Sequence, residues 1–360
     1  MAKSPAVSIA LATFNGGRHL AEQLQSLRIQ TLEPLELIVC DDGSTDDTLE
    51  IVRAFAEGSP FPVRVHCQPI QLGYRRNFRS ASALCSGELI AFCDQDDIWH
   101  PEKLERLAEA FTDPDVLLAY HNANVVDGSG AFLHRKLDAG TERRELSSGF
   151  LGWKSSYGLL QMFRSSLRRF DHLWDLSIDQ NDRSQILAHD QWYFFLAGVL
   201  GRIEFLDEPL VDYRQHGSNL YGAPKVRGIL DRVRYRFLHF GGPDAELAVA
   251  AYARARICTE LMQEETGCRS TVLPHEQGYN RLAERLQRRH DTYASPRLTR
   301  RLASLASGIA NGDYRGRPRG FEPASLIRDG WSGVIRHQVD DPGVTLPPVR
   351  RPPDRNHLPT

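Results

Sequence analysis

Phe92-Cys93-Asp94-Gln95-Asp96-Asp97-Ile98-Trp99 is the stretch on which the reading of this chain turns. It continues a short apolar run, Leu89 to Cys93, that reads as a strand, and it sets carboxylates at positions 94, 96 and 97. Like charges so crowded favour a bound positive group. A strand ending in an Asp-x-Asp step aims both carboxylates from its carboxyl end into the crevice where open α/β sheets bind ligands. A divalent metal carrying a phosphorylated ligand fits there, because Mg2+ and Mn2+ take one or two protein carboxylates and complete their shell with phosphates. The spacing alone is unspecific. With 46 acidic residues in 360, it arises by chance about six times. A solvated turn or a helix start is the bland alternative, with Pro101 at a first helical position and Glu102 in a first turn.

Around this stretch, apolar runs alternate with amphipathic segments. Strand-like runs cover Val7 to Thr13, Leu35 to Cys40, Val63 to Gln68, Leu89 to Cys93 and Val116 to His121. Helix-like segments cover His19 to Gln30, Thr45 to Ala56, Arg76 to Leu84 and Glu102 to Phe111. Leu20, Leu24 and Leu27 recur at helical spacing, as do Ile51, Val52 and Phe55, so each crossover offers one face to a sheet. The rhythm predicts an α/β fold with a mostly parallel, doubly wound sheet. Past residue 120 it loosens: Val125 to Phe132 reads as a hairpin and Asn181 to Val199 as an aromatic-rich helix. The expected division is a sheet domain over 1–222, a helical, arginine-rich region over 223–311, and a Gly/Pro/Arg-rich tail over 312–360 without regular structure.

Hydrophobic residues at 41% and charged residues at 25% are ordinary globular values. A formal net charge of -2 provides no basic field and argues against a dedicated nucleic-acid binder. Cys40, Cys67, Cys85, Cys93, Cys258 and Cys268 show no C-x-x-C spacing and read as buried free thiols of a reducing compartment. The chain opens without an apolar signal core, and no apolar run is long enough to span a bilayer. The expected location is cytoplasmic.

Other strand ends carry chemistry as well. The first ends in Thr13-Phe14-Asn15-Gly16-Gly17, a tight turn with exposed backbone N–H groups, and G-x-G-x-x-G is absent, which excludes the usual dinucleotide fingerprint. The second ends in Cys40-Asp41-Asp42-Gly43-Ser44-Thr45-Asp46, where Ser44 is expected to cap the next helix. Capping leaves Asp41 and Asp42 unexplained, and a carboxylate there can accept from a nucleobase N–H or a ribose hydroxyl. Together with Asp94-Gln95-Asp96-Asp97-Ile98-Trp99, these motifs, in this order and spacing, resemble the nucleotide half of family 2 glycosyltransferases over roughly residues 5–220. The Asp-Gln-Asp-Asp-x-Trp form is similar to the subgroup containing bacterial rhamnosyltransferases of cell-surface polysaccharides.

The resemblance implies a GT-A fold, a nucleotide-diphosphate-sugar donor, a divalent metal (Mn2+ or Mg2+) and inversion at the anomeric carbon. It puts Thr13, Phe14, Asn15, Asp42 and Asp94 at the nucleotide sugar, Asp94 and Asp96 at the metal, and Asp190 of Ala188-His189-Asp190-Gln191-Trp192 in the general-base position. A positioned carboxylate can take the proton of an attacking hydroxyl. Arg214 of Val211-Asp212-Tyr213-Arg214-Gln215-His216 is expected to pair with phosphate, and His216 to ligate metal or bond phosphate. Asp97, Trp99 and His189 are expected as supporting neighbours. Ser155 to Phe163 resembles an acceptor-facing strand and loop, with Leu159 and Leu160 where many relatives carry small residues or Cys.

The implied acceptor is a hydroxyl of a growing cell-surface glycan, polyprenyl-linked, and dTDP-rhamnose is the leading donor. The basic stretch Lys225, Arg227, Arg232, Arg234 and Arg236, and a second at Arg281, Arg285, Arg288 and Arg289, read either as solvated helical faces or as peripheral contacts with an anionic membrane. Two rivals stand beside the transferase. A sugar nucleotidyltransferase would carry a basic, glycine-rich triphosphate loop, where Thr13 to Arg18 has only Arg18. A carbohydrate-binding subunit without catalysis would have no need of the intact carboxylates.

Overall fold

The structure is a computed structural model and describes residues 5–136, 153, 155–216, 244–312, 315–316 and 320–321. Its first part alternates β1 (Val7–Thr13), α1 (Gly17–Arg28), β2 (Glu36–Asp41), α2 (Thr48–Glu57), β3 (Val63–Cys67), α3 (Tyr74–Leu84) and β4 (Leu89–Cys93). β2 and β4 are buried along their whole length and β1 nearly so, as expected of parallel strands covered on both faces. α1 buries Leu20, Leu24 and Leu27, and α2 buries Val52 and Phe55, the latter against the Phe61 ring and the Arg28 guanidinium. β3 is the edge strand and mostly exposed, so Cys67 is exposed too, contrary to the expectation of six buried thiols; all six cysteines are free, with Cys268 partly exposed.

The sheet continues with β5 (Ile98–Trp99), β6 (Val116–Asp127), β7 (Phe132–Lys136), β8 (Gln161–Arg164) and β9 (Arg202–Gln215) in the order β3-β2-β1-β4-β8-β6-β9-β5, with β7 paired to β6. β1 to β4, β6 and β9 share one direction, while β5, β7 and β8 run against it. This is the mixed, mostly parallel α/β architecture expected, including the β6–β7 hairpin. Two elements differ. α4 (Lys103–Glu109) starts after Glu102, so Pro101 precedes the helix and does not open it. α5 (His189–Leu200) is shorter than the helix expected from Asn181, because the Asp179 and Asp182 side chains accept backbone N–H bonds from Asn181 and Ser184 and form turns.

Beyond the sheet lie α6 (Asp244–Glu264), α7 (Arg269–Ala294) and α8 (Leu298–Ala310). The chain divides into two compact units, Met1–Lys225 with Ala253–Tyr279, and Val226–Tyr252 with Asn280–Thr360. The helical region expected from residue 223 is thus shared between them. Within the first unit, buried Arg254 bonds Gln180 at 2.8 Å and lies over the Phe195 and Tyr279 rings, which ties residues 253–279 to α5 and the loop before it. In the second unit, α7 buries Ala283 and Leu286. The basic segment 225–236 lies outside the described residues, as does the tail apart from an antiparallel pairing of Arg315–Gly316 with Gly320–Phe321. Among the described residues no helix is long and apolar enough to cross a membrane.

Candidate active site

Strand register builds the site. Thr13 pairs with Asp41 across β1 and β2, and Leu11 with Cys93 across β1 and β4, so the turns after the three strands emerge side by side at one rim. They open into a cleft of about 1360 Å3. Thr13, Phe14, Asn15, Asp42, Asp94, Asp96, His189, Asp190 and His216 all line it.

The first two turns are locked to each other. Thr13 Oγ1 donates to Asp41 Oδ2 at 2.8 Å, and Asp41 also accepts from the Ser44 N–H and hydroxyl. Contrary to the sequence expectation, Ser44 does not cap α2: its hydroxyl holds Asp41 and accepts the Asn15 N–H, while Asp46 binds the Thr48 N–H at 3.1 Å. Asn15 has φ 48°, and its side chain accepts the Thr45 N–H at 2.8 Å. Asn tolerates this left-handed backbone through such local bonds. Asp42 accepts from the Leu72 and Gly73 N–H groups at 2.7 and 2.8 Å, which fixes its carboxylate at the cleft wall. Phe14 leaves its ring 43% exposed.

The third turn carries the acidic cluster. Gln95 clasps the Phe14 backbone, accepting its N–H at 2.9 Å and donating to its carbonyl at 3.1 Å. β5 pairs with β9, Ile98 opposite Asp212, which brings residues 94–97 against 212–216. There His216 Nε2 lies 2.8 Å from Asp96 Oδ2 and its ring stacks on His19 at 4.9 Å. Burial, and then the Asp96 and Asp190 carboxylates, push Asp94 up to about 7. Asp97 is fully buried and is raised well above the usual carboxylate range by burial and by Asp96 and Asp94.

One residue lies elsewhere than its sequence reading placed it. Arg214, expected at a phosphate, is 2% exposed on its side chain and does not line the cleft. Its backbone N–H binds Asp97 at 3.0 Å, and its guanidinium binds the Asp96 carbonyl, the Gly128 carbonyl and Glu22, so it braces the acidic turn from behind. Asp97 and Trp99, expected as supporting neighbours, sit behind the wall, Trp99 in the core with Lys103 Nζ over its ring.

Asp190 stands in the first turn of α5. Burial raises its pKa to about 6, opposed by N–H bonds from Gln191, its own backbone and Gly158. Beside it, His189 is 5% exposed, stacked on Phe78 at 3.9 Å, and lowered to about 3 by burial and Arg75, so its imidazole is neutral. Arg75, which lines the cleft and was not singled out from sequence, pairs with Asp179 at 2.8 Å and reaches the Ile186 carbonyl, fixing the segment that leads to Asp190. Its position two residues after Gly73 gave no signal, since the pairing partner is remote in sequence.

The glycosyl transferase family 2 profile matches residues 8–175. An uncharacterised glycosyltransferase of Nostoc sp. is 29% identical over 214 residues, covering 59% of this chain and 66% of that one. The glycosyltransferase GlyG of Streptococcus pneumoniae is 32% identical over 226 residues, covering 60% of this chain and 73% of that one. A crystal structure of S. aureus TarS 1-349 in complex with UDP-GlcNAc aligns at 21% identity and a TM-score of 0.48, over 86% of this chain and 93% of that one. The chain spans just under two thirds of the Nostoc relative's length.

Proposed function

Because the chain belongs to glycosyl transferase family 2, with its GT-A type of α/β fold, we propose that it moves a sugar from a nucleotide-diphosphate donor to an acceptor hydroxyl, inverting the anomeric carbon. The observation that carries this reading is the single cleft shared by the ends of β1, β2 and β4 and by Asp190. Phe14 offers an exposed ring face to the nucleobase. Asp42, already oriented by two backbone donors, keeps lone pairs for a base N–H or ribose hydroxyl.

Asp94 and Asp96, with His216, are the residues that would hold Mn2+ or Mg2+. Two carboxylates crowded at a buried rim repel each other, the condition a cation relieves. Among the described residues no three His, Cys, Asp or Glu side chains stand together as a metal site, and His216 is bonded to Asp96, so an ion there would need ligands from the donor's phosphates. When bound, such an ion supplies positive charge against the departing diphosphate. Asp190 accepts the proton of the acceptor hydroxyl as its oxygen attacks the anomeric carbon and the bond to the diphosphate breaks on the opposite face. A carboxylate at about 6 is both mostly ionised near neutrality and basic enough for that step.

The finer reading takes rhamnose from a dTDP donor, supported by the likeness of residues 94–99 to the rhamnosyltransferase subgroup. The acceptor is a polyprenyl-linked cell-surface glycan, reached by a cytoplasmic enzyme whose basic residues at 225–236 touch the inner face of the membrane. A panel of nucleotide sugars, assayed for release of nucleoside diphosphate with and without Mn2+, tests the proposal. Metal-dependent release from one donor, lost in Asp96→Asn, is expected. Silence with every donor, or pyrophosphate release from a nucleoside triphosphate and a sugar phosphate, overturns it.

A further inference from the structure

Lys103, the first residue of α4, is among the largest fully buried side chains of the protein. A buried ammonium is strongly disfavoured unless its charge is satisfied. Its Nζ donates to the Leu159 carbonyl at 2.7 Å and lies 3.5 Å from the centre of the Trp99 ring. Among the described residues it makes no ion pair; Asp94 and Asp97 attract it from a distance, and it eases their mutual repulsion.

The carbonyl it grips belongs to the short turn Gly158–Leu160. That turn packs against the start of α5, where Gly158 leaves no room for a Cβ beside His189, and Gln161 Nε2, just beyond, donates to the Asp190 carbonyl at 3.2 Å. One side of the turn is therefore tied to the Lys103 amine and the other to the backbone of Asp190. We propose that Lys103 is a positioning residue: it holds the Gly158–Leu160 turn, and through it Asp190, in register with the Asp94–Asp97 rim. This rests on the transferase reading and adds a mechanical link between its two halves.

The test is Lys103→Met in the full chain, an apolar side chain of similar length, with Lys103→Leu in its place should the first not fold. Hydrogen exchange is expected to show lost protection of the amides at 157–161. Donor KM is expected to stay within about twofold while kcat falls roughly tenfold or more, the signature of a misplaced group. In an Asp190→Asn background, Lys103→Met is expected to cause no further loss, because the link ends at Asp190. Unchanged exchange at 157–161, or losses that multiply in the double variant, overturn the proposal. A wild-type chain that turns over no donor overturns the transferase reading instead, and the exchange measurement still judges the tie.

Discussion

Asp190 has to be ionised to accept a proton, and its burial favours the protonated form. With its pKa raised to about 6, kcat is expected to rise about tenfold per pH unit below that value and to level off above it. A plateau already reached near pH ~4, the ordinary aspartate value, would remove Asp190 from the base role. Asp190→Asn and Asp96→Asn are each expected to lower kcat roughly a hundredfold or more with an unchanged circular dichroism spectrum. Wild-type turnover in either variant rejects that residue's role. At this scale the sequence showed which carboxylates stand at strand ends, and the structure gathers Asp42, Asp94 and Asp96 along one cleft while setting Asp41 to lock two turns. It could not tell Arg214 from a phosphate ligand: a cation beside an acidic turn reads the same whether it faces the cleft or, as here, braces the turn from behind.

Elements place these groups more than local chemistry does. β1, β2, β4 and the crossovers were legible because each apolar run is covered on both faces or carries a helical stripe, and β3 stood out as a short β-branched run although it lies exposed at the edge. β8 was visible only through the likeness of Ser155 to Phe163 to an acceptor-facing strand and loop, since four residues between a turn and an irregular segment leave too short a pattern, and the start of α5 was obscured by aspartate turns that precede it. The turn before β8 is tightly fitted. A Cβ on Gly158 would lie 2.4 Å from His189 Nε2, and that ring is pinned on Phe78. Gly158→Ala is therefore expected to lower stability by about 2 kcal/mol in urea unfolding, the scale of overpacking a filled core. No change would mean that His189 can swing aside.

For the whole molecule, a ligand that binds only the folded state stabilises it by mass action. Nucleoside diphosphate with Mn2+ at about a hundred times its Kd is expected to add about 2.7 kcal/mol. For a chain of this size that is a rise of several degrees, on the order of 5 °C, in thermal unfolding. EDTA is expected to erase most of the rise, and an equal rise without any divalent ion would argue against Asp94 and Asp96 as metal ligands. Another consequence comes from β8, which pairs with both β4 and β6 yet is encoded long after β4. During synthesis the rim of β4 stays unmated until Gln161–Arg164 emerge, roughly 70 residues later, or about 4–14 s at ~5–20 residues per second. An unmated strand is a template for another chain, so fragments ending before residue 161 are expected to aggregate where the full chain does not. The nascent protein thus spends seconds as an open half-sheet, and its wedge strand is what closes the window for misassembly.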